Sequence, residues 1–191
     1  MGYHLDDAFC AGLSGLHGDA VTQRLRDYCG AGFDFGEFGR LSRDAWYAHV
    51  QQHGMAVKSG FFRLLAVIQQ QGLPFCLATN SRRVDAEFCL AASELSDVFS
   101  IMVCRDDVAV GKPAPDIFEK AASAMSLAPA ECLVLEDSPV GVAAAFAAGS
   151  PCVYVPSIRP ADPRASATAF GVADDLGLIA DLISAEFIHP L

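Results

Sequence analysis

Apolar residues recur along the chain at two spacings, and the change from one to the other divides it. Up to about residue 58 the period is helical. Val21, Leu25 and Tyr28 share one face of a helix that Asp19 is placed to cap and that stops near Gly30 or Gly32. Phe35, Phe38, Leu41, Trp46 and Val50 form a second stripe, ending near Gly54. No strand–turn–helix unit occurs here, so residues 1–58 are expected to form a small helical module. From Ser59-Gly60 onward the texture alternates. Phe61, Leu64, Leu65 and Ile68 mark a helix running to Gly72. Short apolar runs at 74–79, 99–104, 132–135 and 151–155 read as buried strands, with helices expected over 82–92, 115–125, 139–148 and 176–185. Residues 161–168 are the loosest stretch. Short strands separated by helices specify a parallel sheet with right-handed crossovers. The expected class is therefore α/β, a Rossmann-like parallel sheet flanked by helices over 59–191.

Composition narrows the function. A chain of 191 residues that is 52% hydrophobic fits one domain with a modest insertion and can bury a sizeable core. The formal charge of −10, with no cluster of Lys or Arg, argues against nucleic acid and against an anionic membrane surface. An anionic small substrate would need a local positive group. The 7 cysteines are odd in number and form no C-x-x-C pair. Cys76, Cys104, Cys132 and Cys152 sit in strand-like runs and read as reduced core residues of a cytoplasmic protein. No signal peptide and no bilayer-length apolar run is visible.

Three segments carry chemistry. Thr79-Asn80-Ser81 closes one strand in hydrogen-bonding residues, which suits either a phosphate or a plain helix cap. Gly111-Lys112-Pro113-Ala114-Pro115-Asp116 holds a lysine in a stiffened backbone just past a strand. It lacks the Gly-rich run of a P-loop, and a lone lysine there is equally compatible with a solvated surface. Glu136-Asp137-Ser138 follows the apolar run 132–135. Two carboxylates there offer hard oxygen ligands to Mg²⁺, or merely favour the positive end of the next helix. The three groups follow three successive strands, so they are expected on one edge of one sheet, where ligands of open α/β sheets bind.

On these residues the chain resembles the haloacid dehalogenase-like (HAD) superfamily, in the branch of phosphoglycolate phosphatase and β-phosphoglucomutase. The match runs through 77–81, 111–116 and 135–141 and covers about residues 55–185, with residues 1–58 looking like the family's cap. The resemblance implies an Mg²⁺-dependent phosphomonoester hydrolase acting on a small phosphorylated metabolite. It implies that Thr79 and Asn80 bind the phosphoryl group, that Lys112 neutralises its charge, and that Glu136 and Asp137 hold Mg²⁺.

One departure matters. The family's reaction starts from an aspartate nucleophile in a D-x-D-G-T motif at the end of the first strand, and no such motif occurs here. His4-Leu5-Asp6-Asp7 has two acids but no preceding apolar strand and no following Gly-Thr. The first core strand is thus expected to be missing, through a start that falls too late, and the polypeptide to be nearly inactive. A lost central strand of ~5 residues removes roughly five to eight ladder bonds at about 0.5–1.5 kcal/mol each. It would leave two inner edges of the sheet to be closed by rearrangement or by another chain. Two other readings stay open: a non-catalytic protein that binds a phosphometabolite or a protein partner, and a sugar phosphomutase. The mutase branch usually places an arginine soon after a Gly in the cap, whereas Gly15 precedes Leu16-His17-Gly18-Asp19. A dehalogenase has no use for the paired acids Glu136 and Asp137. Substrate identity and oligomeric state are not legible.

Overall fold

A computed structural model describes residues 2–13 and 18–188. Two compact units, Met1–Gly54 and Met55–Leu191, make up the chain. In the first unit, α1 (Asp7–Leu13), α2 (Gly18–Cys29) and α3 (Phe35–His53) are all helices. Helix α1 was not expected. Asp6 starts it, its carboxylate accepting the Phe9 N–H at 2.7 Å, so the acids of His4-Leu5-Asp6-Asp7 serve a helix N-terminus, and the described residues 2–5 before them form no strand. Helix α2 begins at Gly18, which places Asp19 inside it rather than at its cap. Helix α3 starts after Asp34, whose carboxylate accepts the Glu37 N–H at 3.0 Å, and stops at Gly54 with φ 71°. Leu25, Phe33 and Val50 are buried. The ring of Phe33 meets those of Tyr3, Phe35 and Phe38 at 5.1, 4.9 and 5.3 Å. Gly15, Leu16 and His17 lie outside the described residues.

The second unit alternates as the apolar pattern predicts. In order it runs α4 (Phe61–Gln70), β1 (Leu77–Ala78), α5 (Arg83–Ala92), β2 (Met102–Val103), α6 (Asp116–Ala124), β3 (Val134–Glu136), α7 (Pro139–Ala148), β4 (Cys152–Tyr154), α8 (Pro163–Thr168), β5 (Gly171–Val172) and α9 (Leu176–Ile188). Helix α8 corrects the expectation of a loose stretch. Asp162 caps it by accepting the Ala165 N–H at 2.8 Å, and Pro163 opens it. Strand β5 is also an addition, and β3 reaches one residue further than its apolar run, taking in Glu136.

All the pairings are parallel, but among the described residues the strands form two separate sheets, β1–β2 and β3–β4–β5. Side chains of β3 and β4 alternate between two helical layers. Val134, Cys152 and Tyr154 pack with Val142, Ala144 and Ala145 of α7. Leu135, Val153 and Val155 pack with Leu64 of α4 and Leu176, Ile179 and Ala180 of α9. Helix α6 lies on β1 and β2 through Ile117 and Ala121, while its Phe118 enters the α7 cluster. The α6–α7 pair therefore spans the break between the sheets.

The break falls between β1 and β3, and the rearrangement expected to close it does not occur. A cavity of about 880 Å³ lies there, walled by 75–79 on one side and 132–137 on the other. Sealed and dry, such a volume would cost about 20 kcal/mol at ~24 cal/mol per Å³, more than the ~5–15 kcal/mol that stabilises a whole domain. The cavity is not sealed: Leu77, Ala78 and Leu135 along it are only half-buried.

The α4–α9 contact demands glycine. Gly60 has φ +80°, and a Cβ on it would lie 2.0 Å from the backbone nitrogen of Gly177. Gly60→Ala is expected to lower the unfolding free energy of this unit by about 2–4 kcal/mol, combining left-handed strain with overpacking. Gly39→Ala in α3, where nothing lies within 4 Å, should be neutral or stabilising by up to ~1 kcal/mol. Urea unfolding of both variants measures the contrast.

Candidate active site at the carboxyl ends of the strands

Each strand-end segment arrives at one rim because parallel strands all end on the same side. Thr79 follows β1, Glu136 ends β3 with Asp137 next to it, and the loop after β2 carries Lys112. Thr79, Lys112, Glu136 and Asp137 all line the cavity between the sheets. The three groups singled out in the sequence are therefore brought together.

Lys112 is the centre of the arrangement. Its side chain is 6% exposed and that of Glu136 is 7% exposed. The ammonium forms an ion pair with Glu136 Oε1 and donates to the Ala78 carbonyl at 3.0 Å. It also sits 4.6 Å from the centre of the Phe118 ring, a cation–π contact. Asn80 aims the lysine. The Lys112 N–H donates to Asn80 Oδ1 at 2.8 Å, and Asn80 Nδ2 donates to the Lys112 carbonyl at 3.1 Å. Gly111 lets the two loops approach, since a Cβ there would stand 2.6 Å from Asn80 Oδ1.

Glu136 is held on both of its carboxylate oxygens. Its Oε2 accepts the N–H groups of Asp137 and Ser138 at 3.0 and 3.1 Å and the Ser138 hydroxyl at 3.0 Å. Gly141 makes room for it, because a Cβ there would fall 1.9 Å from the Glu136 carboxyl carbon. Ser138 caps α7 by accepting the Gly141 N–H at 3.1 Å, so it turns the chain rather than reacts. Asp137, by contrast, is exposed. Its Oδ2 accepts the Ser157 hydroxyl at 2.6 Å, and Lys58 Nζ donates to that same hydroxyl at 2.9 Å. Thr79 Oγ1 accepts the Ser81 N–H at 3.1 Å, which leaves its own proton for a ligand. The plain helix cap, one of the two readings of Thr79-Asn80-Ser81, is not formed, as α5 begins after Arg82 without a side-chain cap.

Lys58 and Ser157 were missed by sequence reasoning. Ser157 follows β4, so the rule that ligands gather beyond strand ends could have found it. Lys58 follows no strand and gave no signal. Among the described residues no three His, Cys, Asp or Glu side chains gather as a metal cluster. The carboxylates and hydroxyls of the rim offer oxygen ligands, which suit Mg²⁺ over a soft metal. Of the expected pair, Asp137 presents its carboxylate outward while Glu136 is committed to Lys112. The cysteines are all free. Burial pushes the Cys152 thiol up to about 12, the Glu136 charge adding to the effect and Lys112 opposing it. No helix among the described residues is long and apolar enough to cross a membrane.

The chain is similar to known proteins over much of its length. A family model described as haloacid dehalogenase-like hydrolase matches residues 33–149. The chain is 44% identical over 160 residues to a probable pseudouridine-5'-phosphatase of Drosophila melanogaster, covering 81% of this chain and 66% of that protein. It is 43% identical over 100 residues to a bifunctional riboflavin kinase/FMN phosphatase of Arabidopsis thaliana, covering 52% of this chain and 26% of the relative. It thus spans from about a quarter to two thirds of these relatives' lengths. Among solved structures, a HAD family hydrolase from Deinococcus radiodurans with bound phosphate and sodium superposes with a TM-score of 0.74 at 25% identity, covering 100% of this chain and 86% of that one.

Two outcomes test the site as built. Lys112→Met should cost about 3–5 kcal/mol in urea unfolding, because it leaves a buried carboxylate unpaired. Adding Glu136→Gln should recover most of the loss. Cys152, held protonated at pH 8, should react with maleimide far more slowly than exposed Cys10, as read by mass spectrometry of labelling time points.

Proposed function

The chain belongs to the haloacid dehalogenase-like hydrolase family, and from that premise we propose that its site serves an Mg²⁺-dependent phosphomonoester hydrolase acting on a small phosphorylated metabolite. The observation that carries the reading is the convergence of Thr79, Lys112 and Asp137 on one cavity rim. The relatives' names, a pseudouridine-5'-phosphatase and an FMN phosphatase, agree with a phosphorylated small substrate. In this reading the Thr79 hydroxyl donates to a phosphoryl oxygen. Lys112, aimed by Asn80, offsets the charge of that group in a poorly hydrated site, where the attraction is strong. Glu136 keeps the ammonium charged and in place. Asp137 holds Mg²⁺, with Ser157 and Lys58 fixing the carboxylate. The metal supplies charge neutralisation and alignment of phosphate oxygens. The helical unit Met1–Gly54 acts as the cap that selects substrate.

No D-x-D-G-T segment occurs in the 191 residues, and Asp6 is spent on capping α1. The polypeptide as it stands therefore binds phosphate and Mg²⁺ weakly and turns over little. Phosphate monoesters are among the slowest uncatalysed hydrolyses, and positioning without a nucleophile leaves most of that barrier standing. With p-nitrophenyl phosphate and Mg²⁺, the purified chain should stay within about tenfold of the blank rate. Calorimetric titration should show weak Mg²⁺ binding that Asp137→Asn abolishes while the fold is kept. Robust Mg²⁺-dependent turnover would contradict the proposed inactivity, and unchanged Mg²⁺ binding in Asp137→Asn would contradict the metal assignment.

A further inference from the structure

Helix α3 brings two imidazoles together. His49 and His53 are both exposed, and their ring centres lie 4.6 Å apart. We infer that they form a surface chelate for a divalent transition-metal ion, Ni²⁺ or Cu²⁺ before Zn²⁺, with water in the remaining coordination positions. This inference stands on α3 alone and goes beyond the phosphatase reading.

The helix holds the pair in place. It is 19 residues long, is capped at its start by Asp34 and stops at Gly54, so little ordering is left to the moment of binding. Val50, 3% exposed, turns one face inward. At about 100° per residue, His49 and His53 fall on the same flank of Val50, roughly 40° from each other around the axis. Residues four apart are neighbours on a helix surface, about 5–6 Å between Cβ atoms.

The spacing is that of the zinc-binding H-E-x-x-H helix, whose two histidines share one face. Here the run is His49-Val50-Gln51-Gln52-His53, with Val50 where that motif carries its general base. The pair can therefore hold an ion but lacks the group that would turn the ion to hydrolysis.

Geometry and charge select the ion. Imidazole suits Zn, Cu and Ni, whereas Mg²⁺ prefers oxygen. A metal–nitrogen bond of about 2.0–2.1 Å puts each ring centre about 3.2 Å from the ion. Two such centres are ~4.5 Å apart when the ligands meet at a right angle and ~5.2 Å apart at the tetrahedral angle. The separation of 4.6 Å matches the right angle, which is the tetragonal arrangement of Cu²⁺ and Ni²⁺. The rings are inclined at 45°, so they do not stack flat on each other. His53 lies in the last turn of α3, where the carbonyl ends carry partial negative charge. The chain's formal charge of −10 adds to the pull on a cation.

Ni²⁺ is the probe, because unlike Cu²⁺ it does not oxidise the free thiols. Trp46, the only tryptophan, precedes His49 by three residues, so its indole N–H gives one signal that a paramagnetic ion at the pair should broaden. Titrated into the full chain near neutral pH, Ni²⁺ should broaden this signal and the His49 and His53 ring signals with one shared half-saturation concentration. His49→Gln and His53→Gln should each raise that concentration at least about tenfold, with the helical circular dichroism unchanged because Gln is a good helix former. Gln51→His combined with His53→Gln keeps the number of histidines but sets them two residues apart, where side chains do not face each other. It should bind as weakly as the single variants. His4→Gln should change nothing, and excess Mg²⁺ should not displace the ion. An unchanged half-saturation in either single variant, or tight binding by the displaced pair, would overturn the chelate. So would the absence of Ni²⁺ broadening at Trp46.

Discussion

A single ammonium holds the α/β unit together at its site. Lys112 reaches Ala78 at the end of one sheet and Glu136 at the end of the other, so it links the half-sheets at the rim where they otherwise share no ladder. A buried ion pair is costly to desolvate and persists only where its remaining hydrogen-bonding capacity is met. That condition is satisfied here. Glu136 takes two backbone N–H groups and a hydroxyl, and the Phe118 ring lies by the ammonium. The arrangement also needs Gly141 and Gly111, whose missing side chains leave space for Glu136 and for the Asn80 clasp.

The same pairing links structure to chemistry. A lysine that holds a fold together is fully engaged, whereas a lysine that binds phosphate must share its charge with the ligand. In the proposed function Lys112 serves both, since its partner Glu136 is anchored by Asp137 and Ser138 and would stay in position if the ammonium shifted toward an incoming anion. Asp137 differs from its neighbour by one residue and by environment. One carboxylate points down the strand into the core and the other outward to the rim, because side chains at successive positions leave the backbone on opposite sides. Two adjacent acids thereby meet separate surroundings.

Much of this was readable beforehand. The helices of the second unit fall where the apolar stripes put them, and α7 matches its expected limits, because Ser138 and Pro139 at its start and Gly149 at its end are local signals. Other elements were hidden for identifiable reasons. Helix α8 has a cap and an N-terminal proline, but its small residues make no stripe. Strand β5 spans only Gly171–Val172 and owes its existence to β4 beside it. Strands β1 and β2 came out shorter than their apolar runs, since a ladder extends only as far as a partner lies alongside.

The sequence by itself determined the alternation of strands and helices, the parallel class, and the delivery of Thr79, Lys112 and Asp137 to one edge. Those follow from periodicity and turn chemistry, which act within a few residues. Only the tertiary structure decided that Glu136 would be bound to Lys112, that Ser157 and Lys58 would support Asp137, and that the sheet would divide at β1 and β3. Those outcomes depend on groups distant in the chain meeting in a shared, poorly hydrated space. There the cost of an unpaired charge or an unfilled edge is set by whatever neighbours the fold supplies.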